Sequence, residues 1–468
     1  LNFSSIANHF SLRSDAKYRL FWGINGDQLY PKSKISCFPL KHGLVPFQIR
    51  KLKKGELESE YELVELNDVE KRTGVILSRS RVTELNSDKL VFGSADVLTT
   101  RLRPNLGKTI SNEYGRALAG TTEWIPFKVN RRLLHPTLLK YYLLSTRYVD
   151  NAERLLSGKE HPRVAESDIT SLRIPFPALD TQDALVKRIL QIEEKMTLSR
   201  ASLRRPQDII NEILCREFGY PLQEHRERER VRNYSRNFSQ FGAGFTLRNS
   251  AKFHHPDFEL TDNFFARTPH ERVKAYVAVP IRLGATAVKS DFVEDGVAFY
   301  VHPGATKWQE VINSEDCHQI TQEFYDKNKR RNGLLPGDVI INRSGEALGK
   351  IAFFNSDDPA VCSDFTMRVR FNGSMNPHFA WYFMRSVMFQ SQIEREQRGT
   401  SLPNVFPGQI EKMLIVECSR DRQDSITAYV SAELQQRDDA LRSIEARRKE
   451  IDALIEAAIM DELGATAG

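Results

Sequence analysis

Cysteine is scarce in this chain: five in 468 residues, at Cys37, Cys215, Cys317, Cys362 and Cys418. No two form a CxxC pair, and none has a histidine at ligand spacing. The pattern argues against a zinc site or a disulfide framework and for simple thiols in a reducing cytosol, so a cytoplasmic location is expected. Long apolar runs are also missing, so no membrane span is expected. The N-terminus shows no basic-then-apolar signal pattern, and Leu1 in place of Met reads as a trimmed or re-annotated start. Nor does one sign of charge dominate. Sixty-seven Lys and Arg against sixty-one Asp and Glu leave a net charge of +6, a mildly basic balance that permits nucleic-acid binding without requiring it.

Catalytic signatures are likewise absent. Asn105-Leu-Gly-Lys-Thr109 resembles the end of a phosphate-binding loop. A full loop needs an opening Gly for its amides to curl around phosphate, and Leu102 stands there. The second similar stretch, residues 344–351, has Ser344 at that place and Ile351 where the hydroxyl belongs. FGAGF (241–245) follows no strand-like run. No Asn/Asp-Pro-Pro-aromatic run of the adenine methylases occurs, and His254-His255 lack a third metal ligand. No catalytic residue and no metal site is expected in this chain.

What the chain does have is a second copy of itself. FSLRSDAKY (10–18) returns as FTLRNSAKF (245–253). Asp96, Arg101, Gly107 and Lys108 return as Asp338, Arg343, Gly349 and Lys350, and His135-Pro136 as Asn376-Pro377. Pro162, Val164 and Gln182 return as Pro403, Val405 and Gln423. A period this long marks a duplicated domain, not a solenoid repeat. Residues 19–90 and 254–333 show no convincing similarity, as expected if one scaffold carries two different readers. With Gly counted, the apolar fraction is roughly 45%, an ordinary globular value.

Each half reads as a β-rich body, a packed helix and then a long helix. Residues 335–342, 350–354 and 366–371 are strand-like, the last by alternation of Met367, Val369 and Phe371. Ile125, Phe127 and Val129 alternate in the first half, where Pro126 argues for an edge strand or a bulge. Pro136 and Pro377 suit the first position of a helix, and Asn376 is a good N-cap. Leu138, Leu139, Tyr142 and Leu143, like Phe379, Tyr382 and Phe383, read as core faces.

The spacing predicts long helices over about 182–218 and 422–463. Leu185, Ile189, Ile192 and Met196 seam the first, continuing through Leu203, Ile210 and Ile213, with Pro206 expected to kink or break it. Leu434, Leu441, Ile444, Ile451 and Ile455 seam the second, with Arg437 and Arg448 between them. Narrow seams with charged flanks favour pairing of the two helices over separate packing on their own bodies. The boundaries expected are a first body over 1–178, its helix over 179–218, a linker over 219–244, a second body over 245–418 and its helix over 419–463. The Arg/Glu run 224–236 in the linker reads as a solvated surface.

Arg101-x5-Gly107-Lys108 and Arg343-x5-Gly349-Lys350 would place Arg and Lys around a tight turn between strands. Arg suits a guanine edge or a phosphate, and Lys a phosphate. A turn with solvated charges that repeats because the fold repeats is the alternative. Arg103 and Ser344 lie in the same loops. Lys159, His161 and Arg163 in one later loop, and Arg398, Thr400 and Asn404 in the other, suit phosphate or base-edge contacts. Arg13 and Lys17, matched by Arg248 and Lys252, either touch DNA or pin the start of each module.

The twofold order of these motifs resembles the specificity subunit of type I restriction–modification systems. The residues that carry the resemblance are Gly337-Asp-Val-Ile-Ile-Asn-Arg-Ser-Gly345 with Gly349-Lys350, and Asp96-Val97-Leu98 with Gly107-Lys108. Ile174-Pro-Phe-Pro-Ala-Leu179 with Gln182, and Leu402-Pro-Asn-Val405, extend it. It departs at Val416-Glu417-Cys418, where that family continues with prolines. The resemblance implies an α+β fold: two tandem pseudo-symmetric β-rich target recognition domains, joined by two long helices pairing as an antiparallel coiled coil. It implies that each domain reads one half of a bipartite site on double-stranded DNA, with the helices setting the half-site spacing. It further implies two adenine methyltransferase subunits docked on the helices, with restriction/translocase subunits joining them. S-adenosylmethionine, ATP and magnesium would then belong to those partners, with no cofactor in this chain. Competing readings are the recognition subunit of another DNA methylation or defence system, a coiled-coil protein-binding adaptor, and a divergent nuclease that no matched acidic cluster supports.

Overall fold

The computed structural model describes residues 33–460 except 56–60, 83–84, 113–117, 153–154, 157–161, 229–230, 237–249, 308 and 400–401. The fold is α+β. The chain divides into two compact units, Leu1–Ser202 with Ala440–Gly468, and Leu203–Asp439. Neither division coincides with an expected boundary: one falls in the break of the first long helix and the other inside the second.

The first unit carries strands β1 (Cys37–Pro39), β2 (Arg50–Leu52), β3 (Tyr61–Leu63), β4 (Ser80–Val82) and β5 (Lys89–Val91). It continues with β6 (Val97–Thr100), β7 (Thr109–Ser111), β8 (Leu118–Thr121), β9 (Trp124–Phe127) and β10 (Arg173–Pro175). A three-stranded sheet runs in the order β7-β6-β9, all antiparallel. Pro126 sits on β9, at the edge of that sheet, where its missing N–H disturbs no ladder. A five-stranded sheet in the order β2-β5-β8-β3-β4 lies beside it in the sequence, and β1 pairs with β10. Helices α1 (Pro136–Leu144) and α2 (Thr146–Ala152) follow β9, and α3 (Leu179–Ala201) follows β10.

The second unit begins with α4 (Pro206–Phe218). Its strands are β11 (His270–Arg272), β12 (Arg282–Leu283), β13 (Ala298–Val301), β14 (His318–Ile320), β15 (Asp338–Asn342), β16 (Ile351–Phe354), β17 (Ala360–Cys362), β18 (Thr366–Val369) and β19 (Leu414–Val416). The order β16-β15-β18-β12 repeats the β7-β6-β9 arrangement with one strand added, and β11 pairs with β19 as β1 does with β10. The part without a counterpart is different in kind: a β14-β13-β17 sheet with the helix Gln322–Asn332 against β17. Helices α5 (Pro377–Arg385), α6 (Val387–Glu396) and α7 (Arg420–Ile459) complete the chain. The core of this unit joins Val339, Ile341, Phe353 and Met367 from the sheet to Phe379 and Phe383 of α5 and Ile210 and Ile213 of α4.

The helix expected over 182–218 is therefore two. Pro206 is the first residue of α4, the position where its missing N–H costs nothing. Leu185, Ile189, Ile192 and Met196 on α3 are buried, as are Ile444, Ile451 and Ile455 on α7. Leu441 departs from its seam and is 38% exposed, next to the point where α7 passes from one unit into the other. The Arg/Glu run is solvated as expected, with none of its described residues buried, and several of its arginines are held by surface contacts. Arg226 pairs with Asp208 and Glu212, Arg228 donates to the Asp257 carbonyl, and Arg236 pairs with Glu259.

Candidate nucleic-acid interface

The matched residues hold matched geometry inside each unit. In the first, the Arg101 carbonyl accepts from the Val164 N–H and the Arg101 N–H donates to Glu123, both at 2.9 Å. In the second, the Arg343 carbonyl accepts from Val405 at 2.9 Å and its N–H donates to Phe365 at 3.0 Å. Bridges Leu102–Arg163 and Ser344–Asn404 then bring the two candidate loops of each unit together. Gly107 and Gly349 are both left-handed, with φ of +59° and +76°. A Cβ would meet Val149 at 3.1 Å in one and Ile393 at 3.0 Å in the other. The repeated Gly thus serves a turn pressed against the second helix of its body.

The charged side chains diverge. Lys108 is buried, and its ammonium donates to the Leu66 carbonyl. Burial first, and Lys71 second, lower its pKa. It is a lining group of the fold rather than a projecting one, because its loop turns inward under residues 66–72. Lys350 is half-buried. Arg101 is half-exposed, but its Nε is buried with no hydrogen-bond partner among the described residues. Arg103 is exposed in a left-handed conformation. Arg163 forms a two-pronged pair with Glu123, which raises its pKa. Ser344 is buried. Arg343 donates Nε to the Asp364 carbonyl at 2.8 Å and lies 6.0 Å from the rings of both Phe365 and Phe406. Arg398 is exposed and exchanges backbone hydrogen bonds with Asn404. Lys252 donates to Gln397 at 2.6 Å. Arg13, Lys17, Lys159, His161, Arg248 and Thr400 lie outside the described residues.

Other repeated residues turn out to be structural. Gln182 accepts from the His135 N–H at 2.8 Å and donates to the carbonyls of Leu133 and Pro177. Gln423 accepts from Asn376 at 2.7 Å and donates to Ser374 and Cys418. Cys418 occupies the departure noted from the resembled family, and here its carbonyl performs the same task as that of Pro177. Asp96 accepts from Arg131 and the Val129 N–H. Asp338, 1% exposed at its side chain, takes a two-pronged contact from Arg370.

Three equivalences escaped the sequence. Residues 37–45 and 270–278 look unrelated, yet Val45 N–H donates to Lys128 O at 2.9 Å as Ala278 N–H does to Arg370 O at 2.8 Å. Gln207 of α4 donates to the last carbonyl of α5, Arg385, and Arg448 of α7 donates to the last carbonyl of α1, Leu144. Asn211 accepts from the Val387 N–H that opens α6, and Asp452 accepts from the Thr146 N–H and hydroxyl that open α2. So the segment after the first body completes the second unit, and the end of the chain completes the first.

No family model matches the chain, and no curated protein matches it. Solved structures do match. Specificity subunits of type I restriction–modification systems are among them. One structure, on complex assembly and conformational transition of the type I R-M system, shares 14% identity over 91% of this chain and 97% of that one, with a TM-score of 0.47. The HsdS subunit from Thermoanaerobacter tengcongensis shares 14% over 91% and 96%, with a TM-score of 0.37. The S subunit from M. genitalium shares 13% over 92% and 96%, with a TM-score of 0.43. Among the described residues no His/Cys/Asp/Glu group could hold a metal, and no helix is long and apolar enough to cross a membrane.

Proposed function

We propose that this chain is the DNA-specificity subunit of a type I restriction–modification complex, with each unit reading one half of a bipartite site. The observation that carries the reading is the contrast within each unit. The sheet, the two short helices, the Gln clamp and the strand pair β1–β10 or β11–β19 are the same in both. The five-stranded sheet of the first unit and the β14-β13-β17 sheet with its basic helix in the second are not. A shared frame with unlike inserts suits two readers of different sequences.

The two long helical segments act as the spacer and the docking face for two adenine methyltransferase subunits, with the restriction/translocase subunits joining that core. Inside the first unit Arg447 donates to Ser199 at 2.8 Å, and inside the second Arg204 pairs with Glu433 at 2.6 Å. The first contact is one that paired helices would make, and in that arrangement protein spacing would set half-site spacing. Chemistry requiring S-adenosylmethionine, ATP or magnesium is assigned to the partners. Arg103 and Arg101 in the first unit, with Arg343, Lys350, Arg398 and Asn404 in the second, are the groups proposed to meet DNA.

The test is an exchange. Residues 46–90 replaced by the equivalent segment of a relative, leaving 37–45 in place as frame, should change one half of the recognised site and leave the other. Change in both halves, or in neither, contradicts the reading.

A further inference from the structure

The same corner of the frame is finished differently in the two units. In the first, Glu123 and Arg163 face each other in a closed ion pair, with Ala165 beside them. In the second, the positions matched to Glu123, Arg163 and Ala165 are Phe365, Asn404 and Phe406. Phe365 is 49% exposed, Phe406 41% and the neighbouring Leu402 56%. The Arg343 guanidinium sits 6.0 Å from each phenyl ring, with Nε already held by the Asp364 carbonyl. Asn404 Nδ2 is turned back onto the Leu402 carbonyl, which fixes the loop bearing Leu402. Exposed Arg398 adds positive charge, while exposed Glu346 in the Arg343 loop and half-exposed Asp364 and Glu396 are the acidic groups nearby in sequence, the Asp364 carboxylate accepting from the Thr286 hydroxyl.

Two half-exposed rings, each 6.0 Å from one fixed arginine, put apolar surface and positive charge side by side. Two copies of one protein partner would find the same surface on both units, and this corner differs. What differs between two half-sites is DNA. Apolar side chains that enter a base step unstack and kink the duplex, and arginine beside them offsets the phosphate charge.

Resting on the reading of the chain as a DNA-specificity subunit, we propose that Phe365 and Phe406 form a wedge that unstacks a base step in the half-site of the second unit only, with Arg343 positioned between them to hold the backbone. The first unit, closed by Glu123 and Arg163, binds its half-site without such a wedge.

The probe is a duplex carrying the bipartite site found by methylation mapping, with 2-aminopurine in turn at each adenine position other than the methylated ones, whose bases a methyltransferase extrudes from the stack, bound to the full chain with its methyltransferase subunits. The expected result is a several-fold fluorescence rise at one step, within one half-site. Phe365→Ala with Phe406→Ala should abolish the rise and weaken binding about tenfold, the range of one lost base stack. Glu123→Ala with Arg163→Ala should leave it. Unchanged melting of the variants shows that folding is intact. Tight sequence-selective binding with no rise at any step overturns the wedge and leaves the specificity reading standing. Loss of methyltransferase association in the Phe variants overturns it in favour of a protein-docking corner. Absence of any sequence-selective binding overturns both.

Discussion

The side chain of Gln423 accepts the backbone N–H of Asn376 at 2.7 Å, and the same amide donates to the carbonyls of Ser374 and Cys418. One buried side chain thus ties the start of α5 to the chain leading into α7. Gln182 makes the matching clamp at His135 in the first unit.

Removing either clamp strands buried backbone groups. Gln423→Ala should destabilise the second unit by about 2–3 kcal/mol, the cost of unsatisfied buried polar atoms. Gln182→Ala should do the same to the first. Denaturation followed by hydrogen exchange of each unit checks both, and the unit lacking its clamp should lose protection first.

The helix caps supplied by Asn211 and Asp452 give a second expectation. Asp452→Ala removes the acceptor for Thr146 and should cost about 1 kcal/mol, the usual worth of a cap. The loss should appear in the first unit although Asp452 lies near the chain's end. Asn211→Ala should act on the second unit through Val387. Amide exchange rates at Thr146 and Val387 are the readout. Truncation after Asp439 should expose the face of α1 and α2 and cause aggregation of the first unit.

Acid should act through His225. Burial, and then Arg228, hold its pKa down to about 4 from 6.5, while Asp257 opposes them. The unfolded chain therefore takes the proton first. Stability from this group is full above pH 6.5 and is lost as pH falls toward about 4, with no further loss below. His378 and His302, also depressed by burial, add in the same direction. Melting temperature against pH should decline over that window, and His225→Gln should flatten the decline.

Much of the frame was legible in the sequence because it rests on side chains. Asp96 and Asp338, Gln182 and Gln423, Gly107 and Gly349 are kept because each makes contacts that another residue type cannot. Residues 37–45 and 270–278 were not legible, because strand pairing uses backbone groups that any sequence supplies. Gln207 and Arg448 were missed for a related reason: either side chain donates to a helix-end carbonyl, so identity is not needed. The burial of Lys108 is not legible, because spacing gives a turn but not its direction, and the loop turns in. The surface of Phe365 and Phe406 was invisible because it exists only by contrast with Glu123 and Ala165.

A methylome separates a DNA-specificity subunit from an adaptor. The chain is expressed with a candidate adenine methyltransferase partner in a host lacking other adenine methylation, and modified positions are sequenced. A bipartite methylated motif that appears only with this chain is the predicted result. An active methyltransferase that binds the chain and yields no such motif would rule out sequence specification by this chain and favour a protein-binding adaptor.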